Sequence, residues 1–231
     1  MSSRWEGEKG LKMNGPDSAP LHDAADRGDV AEVRRLVATG IDVNQVDEGD
    51  ITALHVAALG GQVQAVKTLV ELGANIHAKT EDSMTPLHLA ADYGHVEVLK
   101  TLLEVSADLH ATTSDGGSPL HLAAANGRLE AIKTLLQFGA PTSARTCHGM
   151  TALDMCVHCG HHAAAQLLRH FDRTARARKK VGTTKRGAQP TTREDTPEAR
   201  EAAERMAALL MEEEEEDLAK AAGTPSQEVS E

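Results

Sequence analysis

Apolar residues alternate between two short helical patterns over residues 18–171. The first is a brief segment rich in Ala, such as Ala57-Ala58, and the second is a run of Val and Leu at i, i+3, i+4 spacing, such as Val33, Leu36 and Val37. This spacing places the apolar side chains on one face of a helix. A glycine follows most of these segments, which favours a sharp turn with positive φ. The pattern therefore predicts pairs of short helices separated by turns.

The same sequence returns at a constant interval along the chain. A leucine holds one position in every copy, and a histidine follows it in the first four: Leu21, Leu54, Leu87, Leu120 and Leu153, with His22, His55, His88 and His121. The clearest copy, Met84–Gly94, contains Thr-Pro-Leu-His-Leu-Ala-Ala. A constant period of this length with this motif is typical of the ankyrin repeat, and the chain resembles an ankyrin-repeat protein over residues 18–171. Its five repeats span 18–50, 51–83, 84–116, 117–149 and 150–171.

The resemblance implies an all-α solenoid of stacked helix-turn-helix units with projecting turn tips. It also implies that the repeated histidine joins a hydrogen-bond network between the turn and the helix start, and that it has no catalytic or metal-binding role. The residues support the fold independently. Thr or Ser before Pro suits the start of a helix, and one unit cannot bury its own apolar face.

Several positions depart from the repeat pattern. Asp50 stands where glycine is usual in the turn, and Ser106 replaces the glycine at the exit of repeat three. A left-handed conformation at Ser costs about 1 kcal/mol relative to Gly, so this exit is expected to be a weak joint. In repeat five, Asp154 replaces the histidine, and His162 and Arg169 take apolar positions, as the exposed face of a terminal repeat requires.

Composition narrows the class of protein. The chain is 40% hydrophobic but only 2% aromatic, which suits closely packed short helices. Its three cysteines lie between Cys147 and Cys159, so they indicate no disulfide framework and favour a reducing compartment. No apolar run approaches the roughly 18 residues of a membrane span, and the N-terminus lacks the apolar core of a signal peptide. We therefore expect a monomer in the cytoplasm, the nucleus or both.

The net charge of −11 is unevenly distributed. The repeats and residues 201–231 are acidic, and a basic segment separates them. An acidic domain favours basic protein partners and disfavours nucleic acid as a ligand. The charge pattern therefore indicates that the repeats bind a basic segment of another protein.

Repeat five carries a concentration of Cys and His that invites a zinc interpretation: Cys147, His148, Cys156, His158, Cys159, His161 and His162. The spacing lacks the paired Cys-x2-Cys motifs of structural zinc sites. Cys156 aligns with a core alanine of the other repeats, where a free Cys acts as a small hydrophobe. We therefore expect no metal and no cofactor, with this cluster as the alternative.

Four further segments flank the repeats. Residues 1–17 are predicted to be a disordered leader, 172–195 a basic flexible linker, 196–222 an acidic amphipathic helix and 223–231 a disordered tail. The helix prediction rests on Thr196-Pro197-Glu198, a good helix start, and on an apolar face that precedes the acidic run Glu212–Asp217. This face is too short for a long coiled coil, so we expect it to bind a partner or to dock on the repeats.

The predicted linker contains a basic cluster from Arg173 to Arg186 with no acidic residue. It includes Arg176, Arg178, Lys179, Lys180, Lys185 and Arg186. Such clusters indicate nuclear import or contact with a polyanion. The alternative is a solvated segment that extends the last helix and contacts the acidic repeats.

Solenoids bind partners along the concave face and the turn tips, because those residues are free of packing duties. In this chain those positions mix acidic with apolar residues, which suits a basic segment anchored by one or two apolar side chains. The predicted partner-binding residues are Glu48, Asp50, Ile51, Glu81, Asp82, Met84, Asp92, Tyr93, Asp115, Asn126, Met150 and His158.

No enzyme motif is present in the sequence. It has no Gly-x-x-x-x-Gly-Lys loop, no Gly-x-Ser-x-Gly elbow and no His-Glu-x-x-His pair. We therefore expect a non-catalytic adaptor or regulator that binds a partner protein on its concave acidic face. The alternative function is a nuclear chromatin- or nucleic-acid-associated factor that contacts polyanions through residues 173–186.

Overall fold

The computed structural model describes residues 20–183, with side chains to residue 174, and these residues form ten α-helices. The helices are α1 (Pro20–Asp26), α2 (Val30–Ala38), α3 (Ala53–Leu59), α4 (Val63–Glu71), α5 (Pro86–Tyr93), α6 (Val96–Glu104), α7 (Pro119–Ala125), α8 (Leu129–Gln137), α9 (Ala152–His158) and α10 (His162–Thr183). None of these helices has both the length and the apolar character needed to cross a membrane.

Each repeat contributes an inner helix, which has an odd number, and an outer helix, which has an even number. The inner helices stack in series from α1 to α9, and the outer helices stack in the same way from α2 to α8. In the first four repeats the inner helix also packs on the outer helix of its own repeat. The predicted all-α solenoid of stacked helix pairs is therefore confirmed.

Small side chains allow the inner helices to pack closely on both neighbours. The paired alanines, such as Ala57-Ala58, and the leucine before each histidine, such as Leu54, are fully buried. The outer helices bury a single stripe, which in α6 contains Leu99 and Leu102. Burial of one such leucine contributes about 2 kcal/mol of transfer free energy, which a single unit could not gain alone.

The repeated histidine joins each repeat to the next. In repeat two, Nδ1 of His55 accepts a hydrogen bond from the backbone N–H of Thr52 at 3.1 Å, so Nε2 carries the proton and donates to the carbonyl of Met84 at 3.1 Å. His88 makes the equivalent bond to the carbonyl of Gly117 at 3.2 Å. Burial disfavours the charged imidazole and lowers the pKa of His88 to about 4. The structural role implied by the resemblance is confirmed, and it extends across the boundary between repeats.

The glycine that follows each of the first four inner helices is required for two reasons. Gly61 has a φ of +69°, and a Cβ atom at this position would lie only 2.6 Å from Nδ1 of His95. His95 occupies that place because its Nε2 donates to the carbonyl of Leu59 at 2.8 Å. Gly28, Gly94 and Gly127 are covered in the same way, by Gln62, Arg128 and His161. The predicted positive φ is confirmed, and a side chain of the following repeat adds a steric requirement.

Three residues other than glycine adopt positive φ in the described part of the chain. Asp50, Ser83 and Ser106 have φ values of 58°, 60° and 67°. The departures noted at Asp50 and Ser106 therefore do place a side chain in the left-handed region. Ser83 was not anticipated, although it occupies the position that is Gly116 in the next repeat.

The last helix is longer than the sequence predicts. The helix α10 runs to Thr183, whereas the sequence predicts a flexible linker over 172–195, so the first part of that segment is helical. Neither glycine nor proline occurs between Gly160 and Gly182, so nothing ends the helix at residue 171. The predicted basic residues in this helix are Arg176, Arg178, Lys179 and Lys180, whereas Lys185, Arg186, the leader, residues 196–222 and residues 223–231 lie outside the described residues.

Candidate protein-binding surface

Each turn tip is a short hairpin closed by two hydrogen bonds. In the first tip, the backbone N–H of Asp47 donates to the carbonyl of Ile51 at 3.0 Å, and the backbone N–H of Ile51 donates to the Asp47 carboxylate at 3.0 Å. A threonine hydroxyl replaces that carboxylate in the later tips, at Thr80, Thr113 and Thr146. We call residues 47–51, 80–84, 113–117 and 146–150 the turn-tip row.

Backbone hydrogen bonds also join successive tips. The N–H of Glu81 donates to the carbonyl of Gly49 at 3.1 Å, and the N–H of Ser114 donates to the carbonyl of Asp82 at 2.9 Å. Cys147 and Asp115 repeat this contact at 2.9 Å. Because main-chain groups join successive tips, these joints use none of the exposed carboxylates of the row.

The carboxylates of the turn-tip row have no cationic partner among the described residues. Glu48, Asp50, Glu81, Asp82 and Asp115 are all exposed, and none of them takes part in an ion pair there. The ion pairs that do form lie on outer helices, for example Lys100 with Glu97 at 2.9 Å and Lys133 with Glu130 at 3.1 Å. The first three tips therefore present concentrated negative charge, whereas the outer face is partly neutralised.

The apolar tip residues are less accessible than the sequence predicts. Met84 is only 7% exposed, so the expectation that its side chain is free to contact a partner is wrong. It directly precedes the helix cap Thr85, and an apolar residue at that position commonly packs on the first turns of the helix. Ile51 and Met150, at the equivalent positions, are partly buried and offer only part of their surface.

Asp92 lies between repeats three and four and is partly buried. Its carboxylate accepts a hydrogen bond from the side-chain amide of Asn126, and its carbonyl accepts one from Nε of Arg128 at 3.0 Å. Burial raises the pKa of Asp92 to about 6, against the opposing effects of Arg128 and Asn126. The structure therefore brings the two predicted residues Asp92 and Asn126 into direct contact.

Tyr93 is the most exposed aromatic residue on the inner side of the described repeats, with 47% of its surface accessible. Its ring stacks on the imidazole of His95, with centroids 6.2 Å apart and ring planes 7° from parallel. His95 is itself fixed by its bond to the carbonyl of Leu59. The ring of Tyr93 is thus held in place while much of it remains open to a partner.

The cysteines and histidines of repeat five do not converge in the described part of the chain. The thiol of Cys156 is buried and donates to the carbonyl of Ala124 at 3.5 Å, and burial raises its pKa to about 11. Cys147 and Cys159 are exposed, as is His158 at the end of α9. Over residues 20–183, no three Cys, His, Asp or Glu side chains are grouped in a way that would hold a metal ion.

Two surface features were not identified from the sequence. Val105, Phe138 and Phe171 are exposed at one equivalent position on the outer side of three consecutive repeats, and this recurrence was a readable signal. Arg169 and Arg173 lie with Gln166 and His170 around a shallow depression on α10. Arg169 and Arg173 are four residues apart, so they lie on the same face of a helix. This could be inferred once α10 was known to continue beyond residue 171.

Each helix pair buries its apolar face against the neighbouring repeats, and backbone hydrogen bonds join the turn tips. These features define a helical repeat solenoid, a class of protein that binds other proteins. The family model described as Ankyrin repeats (3 copies) matches residues 21–113 and 105–179, and the chain belongs to the ankyrin-repeat family. This family generally mediates protein–protein interactions and is typically non-catalytic. A comparison with curated proteins gives no match.

Proposed function

We propose that the chain is a non-catalytic adaptor or regulator that binds a basic segment of a partner protein along the turn-tip row. The observation that carries this proposal is the exposed group of carboxylates without cationic partners, among the described residues, on a row fixed by backbone hydrogen bonds. A fixed row of charges needs little reorganisation when a partner binds, so the ordering cost of association is small.

The exposed carboxylates alone would steer a basic partner towards the row more than they would raise its affinity. A single exposed ion pair contributes about 0–1 kcal/mol, so several carboxylates must act together. They accelerate encounter with a basic partner, and this effect decreases as ionic strength rises. Tyr93, Ile51 and Met150 offer accessible apolar surface beside the charges, which supports binding through a few buried anchors.

A display library of random peptides tests the proposal directly. The wild-type chain is expected to enrich peptides rich in Lys and Arg, and the double variant Asp82→Lys with Asp115→Lys is expected to lose them. The matched control is Glu97→Lys with Glu104→Lys, which changes the net charge equally on the outer helix α6. Enrichment of peptides without basic residues, or equal enrichment by both double variants, would contradict the proposal.

We propose a second function for the basic face of α10, namely contact with a polyanion in the nucleus. It is favoured by the continuation of this helix to Thr183, because Arg169 then shares a face with Arg173, the first residue of the basic cluster. Binding to double-stranded DNA at several salt concentrations tests it. Arg169→Glu with Arg173→Glu is expected to weaken binding and to reduce its salt dependence. Binding that is absent in the intact chain, or unchanged in the variant, would exclude this function.

A further inference from the structure

The outer side of the solenoid carries three exposed apolar residues at one equivalent position. Val105, Phe138 and Phe171 are 37%, 44% and 36% exposed, and they follow one another at the interval of the repeat. We call these three residues the exit row. A single exposed apolar residue is ordinary, whereas a row of them commonly marks a binding surface. Neither of the proposed functions uses this row.

The backbone directs the first two side chains of the row in the same way. Val105 has φ and ψ of −89° and 18°, and Phe138 has −81° and 2°. Their N–H groups donate to the carbonyls of Thr101 and Thr134 at 3.3 and 3.1 Å. The space beside Phe138 is open, because a Cβ atom on Gly139 would have no neighbour within 4 Å among the described residues. Both side chains are therefore presented on fixed helix ends.

Phe171 is tied to repeat four by a contact between the two repeats. The Thr142 hydroxyl donates to the carboxylate of Asp172, the residue that follows Phe171. The outer helices of repeats three and four, α6 and α8, stack on each other. Packed helices lie about 8–10 Å apart, so a row of three equivalent positions is about 16–20 Å long.

The residues that directly precede the exit row change from acidic to basic along it. They are Glu104, Gln137 and His170, and all three are exposed. Glu104 takes part in no ion pair among the described residues. His170 lies with Arg169 and Arg173 around the shallow depression on α10. The surface along the exit row is thus acidic in repeat three, neutral in repeat four and basic in repeat five.

We propose that the exit row binds the exit row of a second copy of this chain in a twofold-symmetric dimer. A twofold interface brings one patch against itself, so that patch must be complementary to itself. When the two rows are antiparallel, Phe138 meets Phe138 of the second copy at the centre. Val105 then meets Phe171 of the second copy at each end.

The charges favour the antiparallel arrangement over the parallel one. It places Glu104 of each copy opposite the basic group formed by His170, Arg169 and Arg173 of the other copy. A parallel arrangement would oppose each of these charges to itself, and like charges across an interface disfavour association. The proposal replaces the monomer expected from the sequence. It does not depend on the proposed function, because the turn-tip row takes no part in the dimer.

Sedimentation velocity of the full chain over a range of concentrations tests the dimer. The dimer fraction is expected to rise with concentration, because an interface built on three residues lies at the weak end of specific association. Phe138→Asp is expected to raise the dimer dissociation constant about 30-fold or more, since this residue is central and meets its own copy. The matched control is Leu129→Asp at the other end of α8, where Leu129 is 37% exposed. It is expected to dimerise like the wild type, and circular dichroism checks that both variants are folded.

Reversal of charge provides a second test that leaves the apolar row intact. Glu104→Arg and His170→Glu are each expected to weaken the dimer about fivefold, because each opposes like charges between the two copies. The double variant Glu104→Arg with His170→Glu is expected to restore the dimer. The two residues lie two repeats apart in one chain, so the restoration requires contact between two copies.

A chain that sediments as a monomer at every concentration would overturn the inference, and the exit row would then belong to a different protein or to another segment of the same chain. A dimer that Phe138→Asp and Leu129→Asp weaken equally, or that the double charge variant fails to restore, would overturn it as well. These results would leave the proposed function intact. Peptide binding to the turn-tip row is measured below the concentration at which the dimer forms, so Glu97→Lys with Glu104→Lys remains its control.

Discussion

The inner side and the outer side of this solenoid satisfy their polar groups in different ways. On the outer helices, three of the four ion pairs among the described residues stay within one helix, as in the Lys100–Glu97 pair, and the exposed Arg34–Glu71 pair joins α2 to α4 at 2.7 Å. On the inner side, polar contacts cross from one repeat to the next, as in the bond of His88 to the carbonyl of Gly117.

The difference separates the contacts that hold the repeats together from the groups that can bind a partner. Contacts within an outer helix stabilise that helix but add little to the joint between repeats. The inner contacts link repeats through backbone carbonyls and imidazoles, so they use none of the carboxylates of the turn-tip row. The stack is therefore held together by groups that differ from those available to a partner.

A lower pH is expected to weaken the contacts on the inner side of the solenoid first. The folded-state pKa of His88 is about 4, below its ordinary value, so the unfolded chain binds more protons between these two values. The contribution of His88 to the free energy of unfolding is fully present above about pH 6.5. It falls by about 3 kcal/mol as the pH decreases towards 4. His55 and His121 act in the same direction, and Asp92, with its raised pKa, acts in the opposite one.

Urea denaturation at several pH values measures this effect. A free energy of unfolding that stays constant from pH 7 to pH 4.5 would refute the assigned role of the histidines.

Removal of one inner histidine tests the same cohesion at neutral pH. His88→Ala is expected to lower the free energy of unfolding by about 3 kcal/mol, because it opens a cavity and leaves buried backbone groups without partners. His110→Ala is the control, since His110 is exposed. Thermal unfolding followed by circular dichroism gives the comparison, and equal stability of the two variants would contradict it.

A change at the joint after repeat three is expected to have a smaller effect of opposite sign. Ser106 has a φ of 67°, so Ser106→Gly is expected to raise stability by about 1 kcal/mol through relief of backbone strain. Ser106→Ala keeps the strained backbone and serves as the control. If Ser106→Gly is no more stable than Ser106→Ala in urea denaturation, strain at this joint is negligible.

The outer ion pairs are expected to matter least. Lys100→Ala removes an exposed i, i+3 pair and should change the free energy of unfolding by less than about 0.5 kcal/mol. Its effect should also disappear in high salt. A loss as large as that of His88→Ala would mean that the two sides of the solenoid do not differ as described.

Most of the fold could be predicted from the sequence, because the constant period of the repeats fixes both the helix pairs and their stacking. The burial of Met84 could not be predicted, because the side chain of a residue just before a helix cap either points to solvent or packs on the helix. Only the packing of the folded chain decides between the two. The length of α10 contradicts the prediction of a flexible linker, which rested on the basic composition, and agrees with the alternative in which this segment extends the last helix. No glycine or proline ends the helix at residue 171.

The candidate site was predicted less completely. The exposed carboxylates follow from their turn positions, but the contact of Asp92 with Asn126 depends on how α5 meets α7. The conformation of Gly60 could not be predicted either, because a glycine at the end of a helix usually indicates positive φ, and here φ is negative.

The bond from each inner histidine to the next repeat also makes the solenoid tolerant of changes in length. If residues 84–116 were lost, Gly117 would follow Ser83 and its carbonyl would meet His55 in the place that Met84 has now. A deletion or duplication of whole repeats during evolution would thus preserve the stack. It would not preserve the contact of Asp92 with Asn126 or the exposed ring of Tyr93, which depend on the presence of repeat three. Descendants of this chain could therefore keep their architecture and change their partners in a single event.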